Sequence, residues 1–321
     1  MAALRQALGR GWEVVSVGSA AVSDGDGAAA SHEAVEAARG AELYFGWGIP
    51  AGVALAARDT VGWAHTAAAG VRASLTPEFL ATGAILTNSK GIHAEPLADW
   101  ALTAIAYCVR GFHRAVAAQH ERRWAKDEFT DYTVPTKDFC ETRVGIVGLG
   151  GVGRAIARRC RAVGMEVRGI RRHPARRRPP GVVWVGGPGD LTQLARSSDV
   201  LVLAAPQTRE TSRVVDATVL AALPDGAFVV NLARGGLLDE EALLEQLERG
   251  RLAGCVLDVF SKEPLPAEHP WWDHPRVLVF PHVGAVSAGF WKRETALIVE
   301  NVRRYLAGQR LKNVVDPQAG Y

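Results

Sequence analysis

From Arg143 onward, short β-branched runs alternate with segments of helical periodicity. GVGRAIARRCRAVG predicts a helix, and Asp190, Asp216 and Asp239 are placed to begin three more, the last ending at Gly250. The predicted strands are RVGIVG, MEVRGI, VVWV, VLVLAA, AFVVNLA, AGCVLDVF and VLVFPH. Because these strands are apolar on both faces, helices must cover both sides, which predicts the α/β class with a doubly wound parallel sheet.

The first hundred residues repeat this rhythm on a smaller scale. The opening MAALRQALG predicts a helix, and further helices are predicted for HEAVEAARG, PAGVALAA and TPEFLAT. The predicted strands are WEVVSV, ELYFGW, GWAHTAA and AILTN. We expect residues 1–97 and 290–321 to form a smaller domain and residues 98–289 a larger one, joined by long helices at about 94–111 and 285–307.

Residues 113–139 interrupt the rhythm, because they are rich in charge and carry aromatic side chains at Trp124, Phe129 and Tyr132. A solvated excursion and a dimerisation arm are both compatible with this composition.

Composition excludes several classes of protein. The chain has 321 residues, 48% hydrophobic and 22% charged, and its net charge of +3 is small for a nucleic-acid-binding protein. The four cysteines form no close-spaced pair, which favours reduced thiols over disulfides or a metal site. No apolar run is long enough to span a membrane and no signal-peptide pattern opens the chain, so we expect a cytoplasmic protein.

A glycine motif follows the first strand of the larger domain and opens a helix. In G-x-G-x-x-G the first glycine permits a tight turn, the second lets the backbone approach a pyrophosphate, and the third lets helix and strand pack closely. We predict a dinucleotide site, on a Rossmann fold, at Gly148, Leu149, Gly150, Gly151, Val152 and Gly153.

The stretch EVRGIRRHPARRRPP stands where such a site ordinarily has an acid that binds the adenosine ribose. Arg171 takes that position and Arg172 follows it, and a guanidinium binds a 2′-phosphate rather than ribose hydroxyls. This predicts NADP(H) in preference to NAD(H). Solvated surface charge is the alternative for both, and a nucleic-acid surface that includes residues 176–178 is a further one.

Three polar residues follow later strands of the same sheet. Arg234, Glu263 and His282 come after NLA, DVFSK and VLVFP, and the carboxyl ends of parallel strands are where ligands bind in such sheets. Together they suit hydride transfer to a carbonyl beside a carboxylate. Arg234 would bind the carboxylate, His282 would exchange the proton, and Glu263 would orient the imidazole. Taken singly, each could instead be a structural residue, and Asp258 could be a turn former.

This ordered series of motifs resembles the D-isomer-specific 2-hydroxyacid dehydrogenases, the group that includes glyoxylate/hydroxypyruvate reductases. The matching stretches are TNSKGIHAEPLADWAL, VGIVGLGGVGRAIA, LAAPQTRETSRVVD, NLARGGLLDEEAL, GCVLDVFSKEPLP and FPHVGAVS. The resemblance implies a flavodoxin-like substrate domain and a dimer whose arm is residues 113–139. The similar formate dehydrogenases pair the histidine with Gln, so Glu263 argues against that branch. A substrate domain of this family ordinarily opens with a strand, so we expect either an earlier natural start or a trimmed domain.

The resemblance also assigns roles to residues. Arg234, Glu263 and His282 match the catalytic trio, and Asp258 matches the acid near the nicotinamide. Ala69, Gly70 and Val71 match the loop whose amides hold the substrate carboxylate. The segments that line the cofactor contain Pro206, Leu232 and Ala233. Among the tryptophans Trp47, Trp63 and Trp291, which could equally pack in the core, we assign Trp291 to the substrate pocket.

The predicted activity is reduction of small 2-keto acids, such as glyoxylate or hydroxypyruvate, to D-2-hydroxy acids by NADPH in a cytoplasmic homodimer without a metal, nucleic-acid or membrane partner. The alternative is a non-catalytic, nucleotide-sensing corepressor-like protein on the same fold.

Overall fold

The computed structural model describes residues 1–18, 21–22 and 29–318, in two compact units. One comprises Met1–His93 with Ser287–Tyr321, and the other Ala94–Val286. These limits lie within a few residues of the predicted boundaries. The ligand that each unit binds stays a prediction.

The first unit begins with short helices and a small parallel sheet. Its elements in this part of the chain are α1 (Ala2–Leu8), β1 (Ala21–Val22), β2 (Ala29–Ala30), α2 (His32–Ala38), β3 (Leu43–Gly46), α3 (Ala51–Ala56), β4 (Trp63–Thr66), α4 (Pro77–Leu80) and β5 (Ile85–Asn88). Strands β3, β4 and β5 pair in that order and are all parallel, while β1 and β2 form a separate antiparallel pair. The predicted opening helix and three of the four predicted strands are confirmed.

The remaining predicted strand, WEVVSV, is not found, and this prediction is wrong, because residues 12–17 belong to no strand. Trp12 and Val14, two residues apart, both pack against the cluster of Leu8, Trp63 and Val302. The alternation of apolar residues that predicted a strand is therefore satisfied by packing against side chains, without a neighbouring strand.

The second unit carries a seven-stranded parallel sheet. Its helices are α5 (Ala94–Val109), α6 (Phe112–His120), α7 (Lys126–Thr130), α8 (Gly151–Ala162), α9 (Leu191–Arg196), α10 (Ala217–Ala222) and α11 (Glu240–Glu248). Its strands are β6 (Arg143–Val147), β7 (Glu166–Ile170), β8 (Val182–Gly186), β9 (Val200–Leu203), β10 (Phe228–Asn231), β11 (Gly254–Leu257) and β12 (Val277–Val279). The strand order is β12-β11-β10-β9-β6-β7-β8. From β6 the chain adds β7 and β8 on one side and then β9 to β12 on the other, so the switch point where such sheets bind ligands lies between β6 and β9.

Consecutive side chains of the central strands pack into two different hydrophobic clusters, one on each face of the sheet. Val202 packs in a cluster with α5 and α8, whereas Leu201 and Leu203 pack in a second cluster with α9, α10 and α11. Helices therefore cover both faces of the sheet, and this explains why the strands are continuously apolar rather than alternating. The predicted doubly wound Rossmann fold is confirmed.

All three predicted helix starts are confirmed, because α9, α10 and α11 begin directly after Asp190, Asp216 and Asp239. Asp216 accepts from Val219 N–H and Asp239 accepts from Ala242 N–H at the starts of α10 and α11. Asp190 differs from the other two in its hydrogen bond, because its carboxylate accepts from Gly187 N–H (2.8 Å) and makes no cap bond to α9. A short 3-10 turn, Pro188–Asp190, brings that donor within reach.

The last helix, α12 (Phe290–Leu306), returns to the first unit and begins five residues later than predicted. Gly289 precedes its first turn, and Phe290 N–H donates to Ser287 O. Val302 of α12 packs with Leu8 and the wholly buried Trp63. Helix α12 therefore shares one hydrophobic cluster with α1 and β4.

Candidate active site

The glycine turn after β6 has the geometry that its sequence predicts. Gly148 has φ +103°, and a Cβ there would lie 2.7 Å from the Ala205 backbone. A Cβ on Gly153 would lie 2.0 Å from Gly148 O, whereas a Cβ on Gly150 or Gly151 would meet nothing within 4 Å. Gly148 and Gly153 are therefore needed for close packing, and the other two glycines leave open space beside the turn.

The start of α8 offers hydrogen-bond donors to a ligand. The amides of Gly148 and Leu149 already donate to Ile170 O, but the first backbone bond of α8 runs only from Arg154 N–H to Gly150 O. The amides of the first turn of α8, which include that of Val152, have no acceptor inside the helix, and the helix dipole adds positive potential there. A pyrophosphate fits this arrangement of amides and open space.

The two arginines after β7 differ in their surroundings. Arg171 is partly buried, and its Nη2 donates to the carbonyls of Pro174, Arg176 and Arg177. Arg172 is exposed. Arg171 thus holds its own loop together, which leaves Arg172 as the more accessible cation of the predicted pair.

A further loop, after β9, brings charge toward Arg172. Its Glu210 accepts from Thr208 Oγ1 (2.6 Å), which chiefly lowers the pKa of Glu210; the nearby positive charges of Arg172 and Arg209 lower it further. Arg209 was not among the predicted residues, and it lies in the loop after β9, which ends at Leu203. In the same loop Pro206 O accepts from Thr211 Oγ1 (2.7 Å).

Arg234 follows β10, and a buried asparagine fixes its backbone. Asn231 is fully buried; its side chain donates to Arg234 O (3.0 Å) and accepts from Ala233 N–H (3.1 Å). The Arg234 side chain is exposed, while Leu232 is buried. Sequence reasoning missed Asn231, although a polar residue closing the apolar run FVVN was a signal.

The glycine after Arg234 determines where the arginine loop lies. A Cβ on Gly235 would lie 1.9 Å from the carbonyl carbon of Phe260, and one on Gly236 would lie 2.3 Å from the Gln207 side chain. Only glycine allows the Arg234 loop to approach the backbone that leads to Glu263.

Glu263 and His282 are brought together in the structure. Glu263 Oε2 lies 2.7 Å from His282 Nδ1, and Glu263 Oε1 accepts from Phe260 N–H (2.8 Å). The bond to Glu263 raises the pKa of His282, against burial and the positive charge of Arg234. Burial acts to raise the pKa of Glu263, but the bonds from His282 and Phe260 outweigh it and the net pKa is lowered. Both shifts favour the charged pair.

His282 itself has a left-handed backbone, with φ +58°. Buried Asp258 holds the chain directly after it by accepting from Val283 N–H (2.8 Å) and Gly284 N–H (2.9 Å). Burial raises the pKa of Asp258. These bonds fit the turn-forming alternative for Asp258, and a contact with cofactor stays a prediction.

The remaining predicted residues belong to the first unit. Ala69 and Gly70, in the loop after β4, are exposed, whereas Val71 is buried. Trp291 is 65% exposed on α12, with its ring 5.0 Å from that of Phe290. Trp63 does not line a pocket, because it is wholly buried and its indole donates to Thr87 Oγ1.

Neither a metal site nor a membrane span is found in residues 1–18, 21–22 and 29–318. No group of three or more potential metal ligands occurs among them, and none of their helices is long and apolar enough to cross a membrane.

The fold and the glycine turn define a dinucleotide-binding α/β protein. Residues 102–284 match the D-isomer specific 2-hydroxyacid dehydrogenase, NAD binding domain, and the chain belongs to this family. Glyoxylate/hydroxypyruvate reductase A of Klebsiella pneumoniae is 35% identical over 223 residues, which cover 70% of this chain and 68% of that protein. The enzyme of the same name from Escherichia fergusonii is 34% identical over 246 residues, covering 76% and 75%.

Solved structures agree with this assignment. A D-isomer specific 2-hydroxyacid dehydrogenase from Xanthobacter autotrophicus, in complex with NADPH and MES, superposes with a TM-score of 0.78 at 32% identity, over 93% of this chain and 90% of that one. An NADPH-dependent glyoxylate/hydroxypyruvate reductase from Sinorhizobium meliloti, in complex with NADP and sulfate, gives 0.72 at 28% identity, over 82% and 81%. The predicted family is confirmed.

Proposed function

We propose that the protein reduces small 2-keto acids, with glyoxylate and hydroxypyruvate as the first candidates, to D-2-hydroxy acids with NADPH. The observation that carries the proposal is the 2.7 Å contact between Glu263 and His282, at strand ends of a sheet whose glycine turn fits a pyrophosphate. The named activity of the reductase A relatives supports the substrate class.

The chemistry divides among a few groups. A bound reduced nicotinamide supplies a hydride to the carbonyl carbon. His282 uses Nδ1 to contact Glu263, so its Nε2 is the ring nitrogen left to give a proton to the carbonyl oxygen. Arg234 binds the substrate carboxylate, which orients the carbonyl. The family resemblance assigns carboxylate binding also to the amides of residues 69–71 in the first unit. Glu263 holds the imidazole in place and favours its protonated form.

The preference for NADPH rests on the two arginines after β7 and on the absence of an acid at that strand end. The relatives solved with NADPH or NADP support it. Because Arg172 is exposed whereas Arg171 is partly buried, Arg172 is the better site for substitution. Arg172→Asp should lower the NADPH to NADH ratio of kcat/KM by about tenfold or more, since an ion pair with the 2′-phosphate becomes a repulsion.

Arg176→Asp is the matched control, because it makes the same charge change in the same loop. Its cofactor ratio should stay within about twofold of wild type. Equal ratios for both variants and the wild type would rule out Arg172 as the residue that binds the phosphate.

The activity is tested by mixing the protein with a panel of 2-keto acids and either cofactor and following absorbance of the reduced nicotinamide. With hydroxypyruvate, the configuration of the glycerate product checks D-specificity. His282→Asn should lower turnover by about a hundredfold or more, by loss of the proton donor, without weakening NADPH binding. Cofactor binding without turnover of any keto acid would favour the nucleotide-sensing alternative.

The proposal extends to a cytoplasmic homodimer in which residues 113–139 form the arm. Trp124 and Tyr132 of that segment are 92% and 82% exposed, and large exposed aromatic side chains are typical of interfaces.

A further inference from the structure

In the first unit, two residues at the end of β5 hold the loop after β4. Asn88 Nδ2 donates to Ala69 O (2.8 Å), and Ser89 N–H donates to Ala68 O (3.2 Å). These bonds turn two consecutive carbonyls of the loop toward the end of β5. Ser89 Oγ also lies 3.1 Å from Thr66 O, at the base of the loop.

The direction of these carbonyls fixes the direction of the amides. The peptides that join Ala68 to Ala69 and Ala69 to Gly70 are trans, so each N–H points opposite to its carbonyl. The amides of Ala69 and Gly70 therefore point away from β5. Both residues are exposed, and no hydrogen bond among the described residues uses either amide. Two adjacent, outward-pointing amides form a site for an anion.

The end of β5 is itself anchored by a buried polar network. Ser89 Oγ lies 2.7 Å from the carboxylate of Glu294 on α12, and Glu294 lies 2.8 Å from His65 Nε2. His65 Nδ1 contacts Thr87 Oγ1 at 2.8 Å. His65, Thr87, Ser89 and Glu294 are all at most 1% exposed, so the network is rigidly packed and every member has a partner.

We propose that Asn88 and Ser89 are positioning residues, which aim the amides of Ala69 and Gly70 at the substrate carboxylate by holding the carbonyls on the far side of the same peptides. This inference rests on the proposed function, in which that loop binds the carboxylate. The inference adds that residues at the end of β5, outside the loop, determine the loop's conformation.

Asn88→Asp tests the proposal. The aspartate keeps the oxygen that accepts from Lys90 N–H (3.2 Å) but places a second oxygen against Ala69 O, so the peptide should turn. The KM for the 2-keto acid should rise about tenfold or more, while kcat changes by less than about threefold and the Kd for NADPH stays the same. A general loss of folding would instead lower the active fraction and reduce kcat without this rise in KM.

Asn313→Asp is the matched control. The Asn313 amide donates to Asn88 O (3.0 Å) and Lys90 O (2.8 Å), beside the same turn, but makes no bond to the loop after β4. It should leave the KM within about twofold of wild type. If Asn88→Asp keeps the wild-type KM, or if Asn313→Asp raises it equally, the inference is overturned.

A measurement on the unaltered protein covers the case in which Asn88→Asp does not fold. With glycine ¹⁵N-labelled protein and NADP present, oxamate should shift the Gly70 amide signal, assigned by its loss in Gly70→Ala. Competition of oxamate with the keto acid without any shift at Gly70 overturns the inference and the assigned role of the loop, and leaves the proposed reduction of 2-keto acids standing. Absence of turnover with every 2-keto acid overturns the proposed function, and the inference with it.

Discussion

At the scale of single residues, one hydrogen bond sets the protonation of both members of the acid–base pair. The contact between Glu263 Oε2 and His282 Nδ1 raises the pKa of the histidine and lowers that of the glutamate. In the proposed reaction, reduction needs the protonated imidazole of His282 as proton donor. We therefore expect the pair to support the proposed reduction over a wider pH range than an isolated histidine would.

This arrangement predicts a pH dependence. Because the pKa of His282 is raised, kcat/KM for keto-acid reduction should be retained below that pKa and lost as pH rises through it, with the fall lying above about pH 6.5. Glu263→Gln removes the charged partner, so the fall should move to lower pH. The measurement is kcat/KM against pH for both proteins.

Glu240→Gln serves as the control, because Glu240 accepts from Ser261 N–H on the neighbouring loop without contacting His282. Its pH profile should match that of the wild type. A fall at the same pH in Glu263→Gln would contradict the assigned role of Glu263.

A second residue-scale prediction concerns Gly235. Gly235→Ala places a Cβ 1.9 Å from a backbone carbon of Phe260, so the Arg234 loop must move away from Glu263. We expect a loss of about 1–3 kcal/mol in stability from overpacking and at least a tenfold loss of kcat/KM. Gly189→Ala, where a Cβ meets nothing within 4 Å, should have neither effect. Urea unfolding and keto-acid kinetics measure both, and wild-type kinetics in Gly235→Ala would disprove the positioning role.

The sequence predicted the polar side chains of the candidate site but not the residues that hold them in place. Arg234, Glu263 and His282 were found because a charged or basic side chain after a strand is conspicuous. Asn231 acts through backbone groups, and the role of Gly235 is to lack a side chain beside a distant segment. Such contacts depend on tertiary approach, which spacing along the chain does not encode.

At the scale of elements, Asp199 ties together the starts of several segments of the sheet. It is buried; its carboxylate accepts from Arg143 N–H (2.8 Å) and from the side chains of Arg143 and Lys137, and its carbonyl accepts from Phe228 N–H. Burial acts to raise its pKa, but the bonds from Arg143 and Lys137 dominate and lower it to about 2. The ionised form is thus preferred in the folded protein.

A lowered pKa gives stability that is present above the unfolded value, near 3.8, and is lost as pH falls through about 2. Asp199→Asn should therefore lower the free energy of unfolding by about 2 kcal/mol at pH 7, and the difference from wild type should shrink below about pH 4. Asp138→Asn, which breaks an exposed pair with Arg110, should cost less than about 1 kcal/mol. Urea unfolding across pH measures both, and equal losses for the two variants would contradict the prediction.

Periodicity predicted most elements because burial determines both the pattern and the fold. The continuous apolar runs became central strands, since helices cover both faces. It failed at residues 12–17, where Trp12 and Val14 pack against side chains without a strand partner. It also failed at the start of α12, where a turn at Ser287 precedes the helix. In both places the apolar pattern was real, but its partner could not be read from local sequence.

At the scale of the whole molecule, the exposed aromatics of residues 113–139 predict self-association. Trp124 is 92% exposed, and burying such a side chain at an interface is worth about 2 kcal/mol. Trp124→Asp should weaken the dimer about thirtyfold or more, as measured by light scattering across a dilution series. Trp272→Asp, which alters a 49% exposed tryptophan outside that segment, should not. A wild-type protein that is monomeric at every concentration would disprove the homodimer.

The left-handed backbone of His282 constrains how this chain can diverge during evolution. At φ +58°, most side chains strain the backbone, whereas glycine, asparagine, aspartate and histidine are tolerated. Descendants that lose the proposed proton donor should therefore carry one of the first three at this position far more often than alanine, leucine or valine. An inactive lineage would be recognisable by that narrow set of replacements, because the turn held by Asp258 would still select for it after catalysis no longer did.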